Sequence, residues 1–217
     1  MIQPLLSIVV ATRDRHKQLI TTLHAITAQV NRVFGVEVIV SVDGPDTGES
    51  AIVAEFGQNP NRQPPDEEKD ELEPSAISFS VLTSTQARGD WGATPRDAAI
   101  SVARGRYVVF WDDDNIYYNT ALHHIETLAM DSEDAILVYR TRHWHQKRST
   151  VIPGNWKGTF AQSDIDTMCV CVRADVARRA AWATEGRPRD CDYRWLKRLV
   201  DSGAIPVFHD LLIGEHL

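Results

Sequence analysis

The chain has 217 residues, enough for one large domain or two small ones, and 43% of them are apolar, which suffices for a sizeable core. A formal net charge of -7 argues against binding nucleic acid through a broad basic face. No apolar run approaches the ~18 residues of a transmembrane helix, the N-terminus lacks the basic start of a signal peptide, and three cysteines, a low and odd count, point to reduced thiols in a cytoplasmic protein.

Leu5 to Thr12, LLSIVVAT, has the composition of a buried strand and runs into Arg13, Asp14 and Arg15. Leu19, Leu23, Ile26 and Val30 follow at helical spacing, with Asp14 as the expected N-cap. Val36 to Val42 is a second strand ending at Asp43-Gly44, and strand, helix, strand in this order imply a right-handed βαβ unit. Residues 57–77, GQNPNRQPPDEEKDELEPSAI, are rich in Pro and acids. They read as a flexible, exposed acidic insertion within a single domain spanning 1–217, not as a linker between two. Ser78 to Thr83 is a third strand. A loop from Gly89 to Pro95 precedes a helix that Thr94 is expected to cap, with Pro95 in its first turn and Ala98, Ala99, Val102 and Ala103 as its packing face. Gly105 ends that helix.

The next stretch, Arg106 to Asn115, reads RYVVFWDDDN. Tyr107, Val108, Val109, Phe110 and Trp111 are all β-branched or aromatic and predict a strand buried on both faces. Asp112, Asp113 and Asp114 follow at its carboxyl end, the edge of an α/β sheet where ligands bind. Three adjacent carboxylates repel one another and are tolerated where a cation neutralises them or water reaches them. Hard divalent cations bind through one or two carboxylates plus substrate phosphates, so the run predicts a metal site for a phosphorylated substrate. Its plain alternative is a cap or a solvated turn. A calcium-binding EF-hand loop is excluded, because Ile116 and Tyr117 occupy its fifth and sixth positions. No Gly-rich run ends in Gly-Lys-Ser/Thr, which excludes a P-loop.

Asn119 is expected to open a helix with Leu122, Ile125 and Leu128 inward, and Ala135 to Arg140 to return as a strand. His143 and His145 flank Trp144 and share a face on an extended chain, either as a metal pair or on an exposed edge strand. Trp156 sits in the turn-rich loop Pro153 to Gly158, where a lone Trp is more often a packing anchor than a stacking platform. Met168 to Arg173 reads as a strand that keeps Cys169 and Cys171 in the core. Ala174 to Trp182 reads as a helix, Glu185 to Asp190 as a polar loop, and Asp192 to Val200 as a helix closed by Gly203. Ile205 to Phe208 and Leu211 to Ile213 read as short strands. The whole is α/β, with the acid run near the middle of a mostly parallel sheet.

In this order the motifs resemble the GT-A glycosyltransferases, and most closely their family 2 group, over nearly the whole chain. Thr12-Arg13-Asp14-Arg15 is similar to the turn after that family's first strand, and VSVDG to its second strand with a base-contacting Asp. GATPRDAAISVARGRYVVFWDDDN is similar to the stretch in which a Gly, an Arg, an Ala-rich helix and a Gly lead into the DXD strand. Asp192 matches the second acid of a later acidic pair, and His216 the terminal His. Cys191 stands where the family has Glu, and Asp97 where it commonly has Asn.

The resemblance implies a Rossmann-like, mostly parallel central sheet flanked by helices, the GT-A (nucleotide-diphospho-sugar transferase) fold. It implies metal-dependent, inverting transfer of a sugar from a nucleotide-sugar donor, a UDP-sugar first among them, to an acceptor hydroxyl on a saccharide or lipid-linked molecule. Thr12, Arg13, Asp43, Arg96, Asp112 and Asp113 would then serve the donor. Within that set, Asp112 would hold the ribose or reach the metal through water, Arg96 would contact base or phosphates, and Asp113 would turn its side chain away. Asp114 and His216 would hold Mn2+ or Mg2+, with a bond to the diphosphate the other role open to His216. Asp192 would be the base, with Asp190 as alternative and helix capping as its plain role. A nucleotidyltransferase is the rival enzyme class, disfavoured because the TRDR turn has no Gly. A non-catalytic nucleotide-sugar binder is the rival outside enzymes.

Overall fold

The computed structural model describes residues 3–29, 35–58, 77–146, 148–182 and 190–216. Strand β1 (Leu6–Thr12) shows how the layers arise: Leu6, Ile8 and Val10 enter one core and Val9 the other, because successive side chains on a strand point to opposite faces. Strands β2 (Val36–Val42) and β3 (Ile77–Leu82) extend the sheet to one side of β1, and β4 (Tyr107–Phe110) pairs on the other. These four strands are parallel, which demands crossover helices on the faces. Helices α1 (His16–Gln29), α2 (Glu49–Gln58) and α4 (Ala121–Asp131) cover one face through Leu19, Leu23, Val53, Leu122 and Ile125. Helices α3 (Ala93–Val102), α5 (Ala174–Ala177) and α6 (Cys191–Asp201) cover the other through Ile100, Val176, Trp195 and Leu199.

Beyond β4 the sheet turns partly antiparallel. It continues with β8 (Val170–Arg173), β6 (Ile136–His145), β9 (Pro206–His216) and β5 (Asn115–Tyr117), while β7 (Arg148–Ile152) pairs with β6. Strand β4 pairs β8 antiparallel, whereas β6 and β9 run parallel with two register shifts. The acid run therefore leaves the sheet near its middle, as the order of motifs predicts.

Close approach of α3's exit to β1 requires Gly105. A Cβ there would stand 2.5 Å from the Ser7 backbone nitrogen, and the gap is used by hydrogen bonds. The Gly105 N–H donates to Ser7 Oγ at 2.8 Å and to the Glu37 carboxylate at 3.0 Å, and the Ser7 hydroxyl also donates to Glu37.

Several local expectations differ from the fold. Arg15, not Asp14, caps α1: its carbonyl accepts from the Leu19 N–H at 2.9 Å, while Asp14 takes φ 52° in the preceding turn. Gly92, with φ 80°, occupies the N-cap of α3, and Thr94 lies inside the helix, where Asp90 accepts from its N–H and hydroxyl. A carboxylate two residues upstream of Gly92 thus does the work assigned to Thr94. Ala98 and Val102 face solvent, and Ala99, Ile100 and Ala103 form the packing face. Helix α4 starts at Ala121, two residues after Asn119. Helix α2 and the short strands β5 and β7 were not expected. Strand β6 is interior and runs on to His145, so His143 is not on an exposed edge. Strand β9 is one long strand where two short ones were expected, and α5 is only four residues long. Val30, residues 59–76 of the acidic segment and residues 183–189 of the polar loop lie outside the described residues.

Candidate active site

The tip of β4 is held by an aromatic bracket. Trp111 stacks on Tyr117 with centroids 3.8 Å apart, and the Tyr117 hydroxyl accepts from the Asp112 N–H at 2.9 Å. The three acids then diverge to different partners. Asp112 accepts from Arg96 at 2.5 Å and from the Thr167 hydroxyl at 3.0 Å. Asp113 is buried and accepts from Thr12 at 2.6 Å and from Arg15 at 3.0 Å. Asp114 is exposed and lies 2.6 Å from the same Arg15 nitrogen. The mutual repulsion of the run is therefore relieved by two guanidinium groups. Burial pushes the Asp113 carboxyl up, against the pull of Thr12 and Arg15.

Arg96 is buried in α3. An Arg in the first turn of a helix reads from sequence as a surface residue. The parallel pairing of β1 with β4 instead brings α3 against the acid run. Burial alone would depress its guanidinium, but the charges of Asp112 and Asp192 outweigh that and hold it above its usual range. Its second anchor is the Trp91 carbonyl, 2.8 Å away.

Thr167 joins the acid run to a second group. Its one hydroxyl proton is shared between Asp112 at 3.0 Å and Asp166 Oδ1 at 3.2 Å. Asp166 Oδ1 also accepts from the Met168 N–H at 2.9 Å, capping the 3₁₀ turn Thr167–Cys169. Its other oxygen, Oδ2, faces His143 Nε2 at 3.9 Å and His216 Nδ1 at 3.6 Å. The two imidazoles lie parallel with centroids 4.5 Å apart. Burial, reinforced by the facing His216, lowers His143 despite the attraction of Asp166, so its ring is neutral near pH 7.

Asp192 stands in the first turn of α6, where Asp190 occupies the N-cap position without a capping side-chain bond. Burial, then the Asp166 charge, push Asp192 up to about 6 against the pull of Arg96. Asp190 turns elsewhere and accepts from Gln162 at 3.0 Å. Cys191, in the place of an acid, is a buried thiol whose Sγ–H donates to Asp192 at 3.1 Å. Burial and the Asp192 charge push it up to about 12, so it is a neutral donor and adds no charge. Asp97 accepts from the Trp182 N–H at 2.6 Å and ties α3 to the segment before α6.

Asp43 sits just past the end of β2, beside Thr12. Its carboxylate accepts from the Arg88 and Gly89 N–H groups at 2.6 and 2.8 Å, and Arg13 lies 3.5 Å away. The structure thus joins Thr12, Arg96, Asp112, Asp113 and Asp114 around one strand tip, with Arg15 between them. His216 reaches them through Asp166, and Asp192 feels the charges of Asp166, Arg96 and Asp112. Asp43 and Arg13 form a flank joined to the tip through the Asp43 N–H, which donates to the Thr12 carbonyl at 2.9 Å. Trp156 packs on Phe160 and Phe208, as an anchor does. His145 is exposed, and His143 finds its neighbour in His216, not in His145. Sequence reasoning missed Arg15 as a partner of two acids, and Asp166 and Thr167 altogether. Nothing local in QSDIDTM marks them, since their neighbours lie on distant strands.

The chain matches the family described as "Glycosyl transferase family 2" over residues 7–162. No curated protein sequence matches it. Among solved structures it is similar to S. aureus TarS, at 15% identity and a TM-score of 0.66, with 97% of this chain and 36% of that chain covered. TarS 1–349 in complex with UDP-GlcNAc aligns at 14% identity and a TM-score of 0.68, covering 97% of this chain and 57% of that one. The mannosyltransferase PcManGT from Pyrobaculum calidifontis, in complex with GDP-Man and Mn2+, aligns at 14% identity and a TM-score of 0.66, covering 98% and 57%. The chain therefore spans about a third to three-fifths of these chains, and the likeness at such identities is one of fold. The alternation of apolar strands and helices, the sheet they build and the acid run at its centre agree with the family match, and the chain belongs to glycosyl transferase family 2.

Proposed function

We propose that the chain is a metal-dependent, inverting glycosyltransferase domain that moves a sugar from a nucleotide-sugar donor to an acceptor hydroxyl. The observation that carries this reading is the continuous link Arg96–Asp112–Thr167–Asp166, which ties the first acid of the run to a carboxylate faced by two imidazoles. That all strands among the described residues join one sheet supports reading 1–217 as a single GT-A domain. Three buried free thiols are in keeping with a reducing, cytoplasmic setting. No described helix is long and apolar enough to cross a membrane.

The residues fit a divalent cation, because His143 Nε2 and His216 Nδ1 are buried, lack hydrogen bonds and face a carboxylate oxygen. His216 would hold it with Asp166 and His143, or with Asp114 in the presence of the donor. When bound, Mn2+ or Mg2+ supplies positive charge where the diphosphate leaving group develops negative charge. Arg15 offers a second positive group beside Asp114, placed to meet a phosphate. Thr12 and Asp113 fix the strand tip, and Asp43 with Arg13 would form the flank that receives the base. UDP is the first expectation for the nucleotide, because TarS 1–349 has been seen with UDP-GlcNAc. Asp192 would take the acceptor's proton. A carboxyl raised to about 6 is a better base near neutral pH than an ordinary one, while still ionised there.

The test is a thermal-shift panel of UDP-, GDP- and dTDP-sugars, each with and without Mn2+, on wild type and Asp114→Ala. A ligand at about 100 times its Kd stabilises a fold by about 2.7 kcal/mol. The expected result is a metal-dependent shift for one nucleotide, lost in the variant, and release of the nucleoside diphosphate in the presence of acceptor. A flat panel would sink the reading. A shift with no turnover would leave a binding protein.

A further inference from the structure

Strands β6 and β9 run parallel, and their register sets His143 opposite His216. Register shifts between Val138 and Arg140 and between Arg140 and Arg142 precede this rung, and irregularities of this kind re-aim side chains near functional sites. The 3₁₀ turn before β8 brings Asp166 to the same point. Among the described residues, His143, Asp166 and His216 are one group whose candidate ligand atoms all lie within 4.8 Å of one another.

A simple ion pair does not account for this arrangement. Two of the three facing atoms, His143 Nε2 and His216 Nδ1, are buried and make no hydrogen bond. A buried polar atom without a partner costs about 1–3 kcal/mol. Protonating both rings to satisfy Asp166 would set two cations face to face at 4.5 Å. Asp166 is also held as a metal ligand is held: Oδ1 is tied by Met168 N–H and the Thr167 hydroxyl, which leaves Oδ2 turned to the imidazoles. Asp114, by contrast, is outside this group and paired with Arg15.

We propose that His143, Asp166 and His216 form a site for a first-row transition-metal dication that fills before any nucleotide arrives. Two imidazole nitrogens and one carboxylate oxygen favour Mn2+, Co2+ or Zn2+ over Mg2+, which prefers an all-oxygen shell. Tetrahedral ligands at about 2.1 Å from a metal stand about 3.4 Å apart, and the two nitrogens already lie 3.9 and 3.6 Å from Asp166 Oδ2. The site deepens the glycosyltransferase reading by naming the metal class and ligands, and it rests on that reading only for its purpose.

Metal-free protein is titrated with Co2+, without nucleotide, and followed by visible absorption and calorimetry. The expected result is one equivalent bound, with ligand-field bands that millimolar Mg2+ does not displace. Affinity should fall at least about tenfold in His143→Gln, His216→Gln and Asp166→Asn, and stay unchanged in Asp114→Asn. Circular dichroism and melting midpoints identify the variants that fold as the parent does, and two histidine variants guard against the loss of one. Absence of Co2+ binding overturns the proposal. So does binding that survives the folded histidine variants, or binding lost in Asp114→Asn, which would return the cation to the acid run. The readout needs no donor, so failure here leaves the nucleotide-sugar reading intact, and a flat donor panel leaves this site intact.

Discussion

The Thr167 hydroxyl donates to Asp112 across 3.0 Å, between residues 55 positions apart in the chain. That bond is the seam between the two halves of the site: β4 and its acids on one side, the turn before β8 with Asp166 on the other. Thr167→Val keeps the side-chain shape and removes the hydroxyl. The expected outcome is a loss of about tenfold in kcat, as for a group that orients a ligand, with a melting midpoint close to the parent's. An unchanged kcat would mean that the two halves are held by the backbone alone.

Asp192 links activity and stability in opposite senses. Its folded-state pKa, about 6, lies above the ordinary 3.8, so the fold favours the protonated carboxyl. The associated stability is fully present below about pH 4 and is lost as pH rises through about 6. A base must be ionised, so kcat should rise with pH over the same interval. Asp192→Asn should abolish transfer while raising the melting point of metal-free protein at pH 8 by a few degrees, on the scale of about 2–4 °C per kcal/mol for a chain of this size. A variant that melts lower at pH 8 would show that Asp192 is stabilising there, contrary to its burial.

Arg96 balances two carboxylates from inside the protein. Removing one partner of a buried ion pair costs about 3–5 kcal/mol because the other is left uncompensated. Arg96→Met should therefore lower the free energy of unfolding by roughly that amount, as read by urea titration. Arg96 also opposes the rise of Asp192, so the acid limb of any residual activity should move to higher pH. Stability within 1 kcal/mol of the parent, by the scale for exposed pairs, would place Arg96 outside the balance.

Glu37 tests the far end of the sheet. Burial would raise its carboxyl, but hydrogen bonds from Ser7, Arg104 and Gly105 outweigh that and hold it below its ordinary 4.5. A lowered folded-state value contributes stability that is present above about pH 4.5 and lost as pH falls through the folded value. Glu37→Gln should be less stable than wild type at pH 7 by about 1–3 kcal/mol, the scale for hydrogen bonds to charged groups. The gap should close on acidification below pH 4.5. Parallel pH–stability curves for the two proteins would contradict the assignment.

The sequence by itself determined β1, α1, β2, β3, α3 and β4 in their order, though not α2, β5 or β7, and the position of the acid run at a strand end near mid-sheet. These are local facts: β1, β2 and β4 are dominated by β-branched and other apolar residues, and that composition needs no partner to be read. The family resemblance was legible for the same reason, since the Arg–helix–Gly–acid block is contiguous. Caps were less legible because Asp90 and Arg15 act from positions that local preference assigns to Thr94 and Asp14. Only the tertiary structure decided which charge meets which. Arg96 became a buried partner of Asp112 because parallel pairing of β1 and β4 lays α3 beside the acids. His143 met His216 because two register shifts set the rung at which β6 and β9 align. Asp166 joined them from a turn with no motif of its own. Electrostatic pairing depends on distance in space, and the sequence fixes that distance only after the sheet has closed.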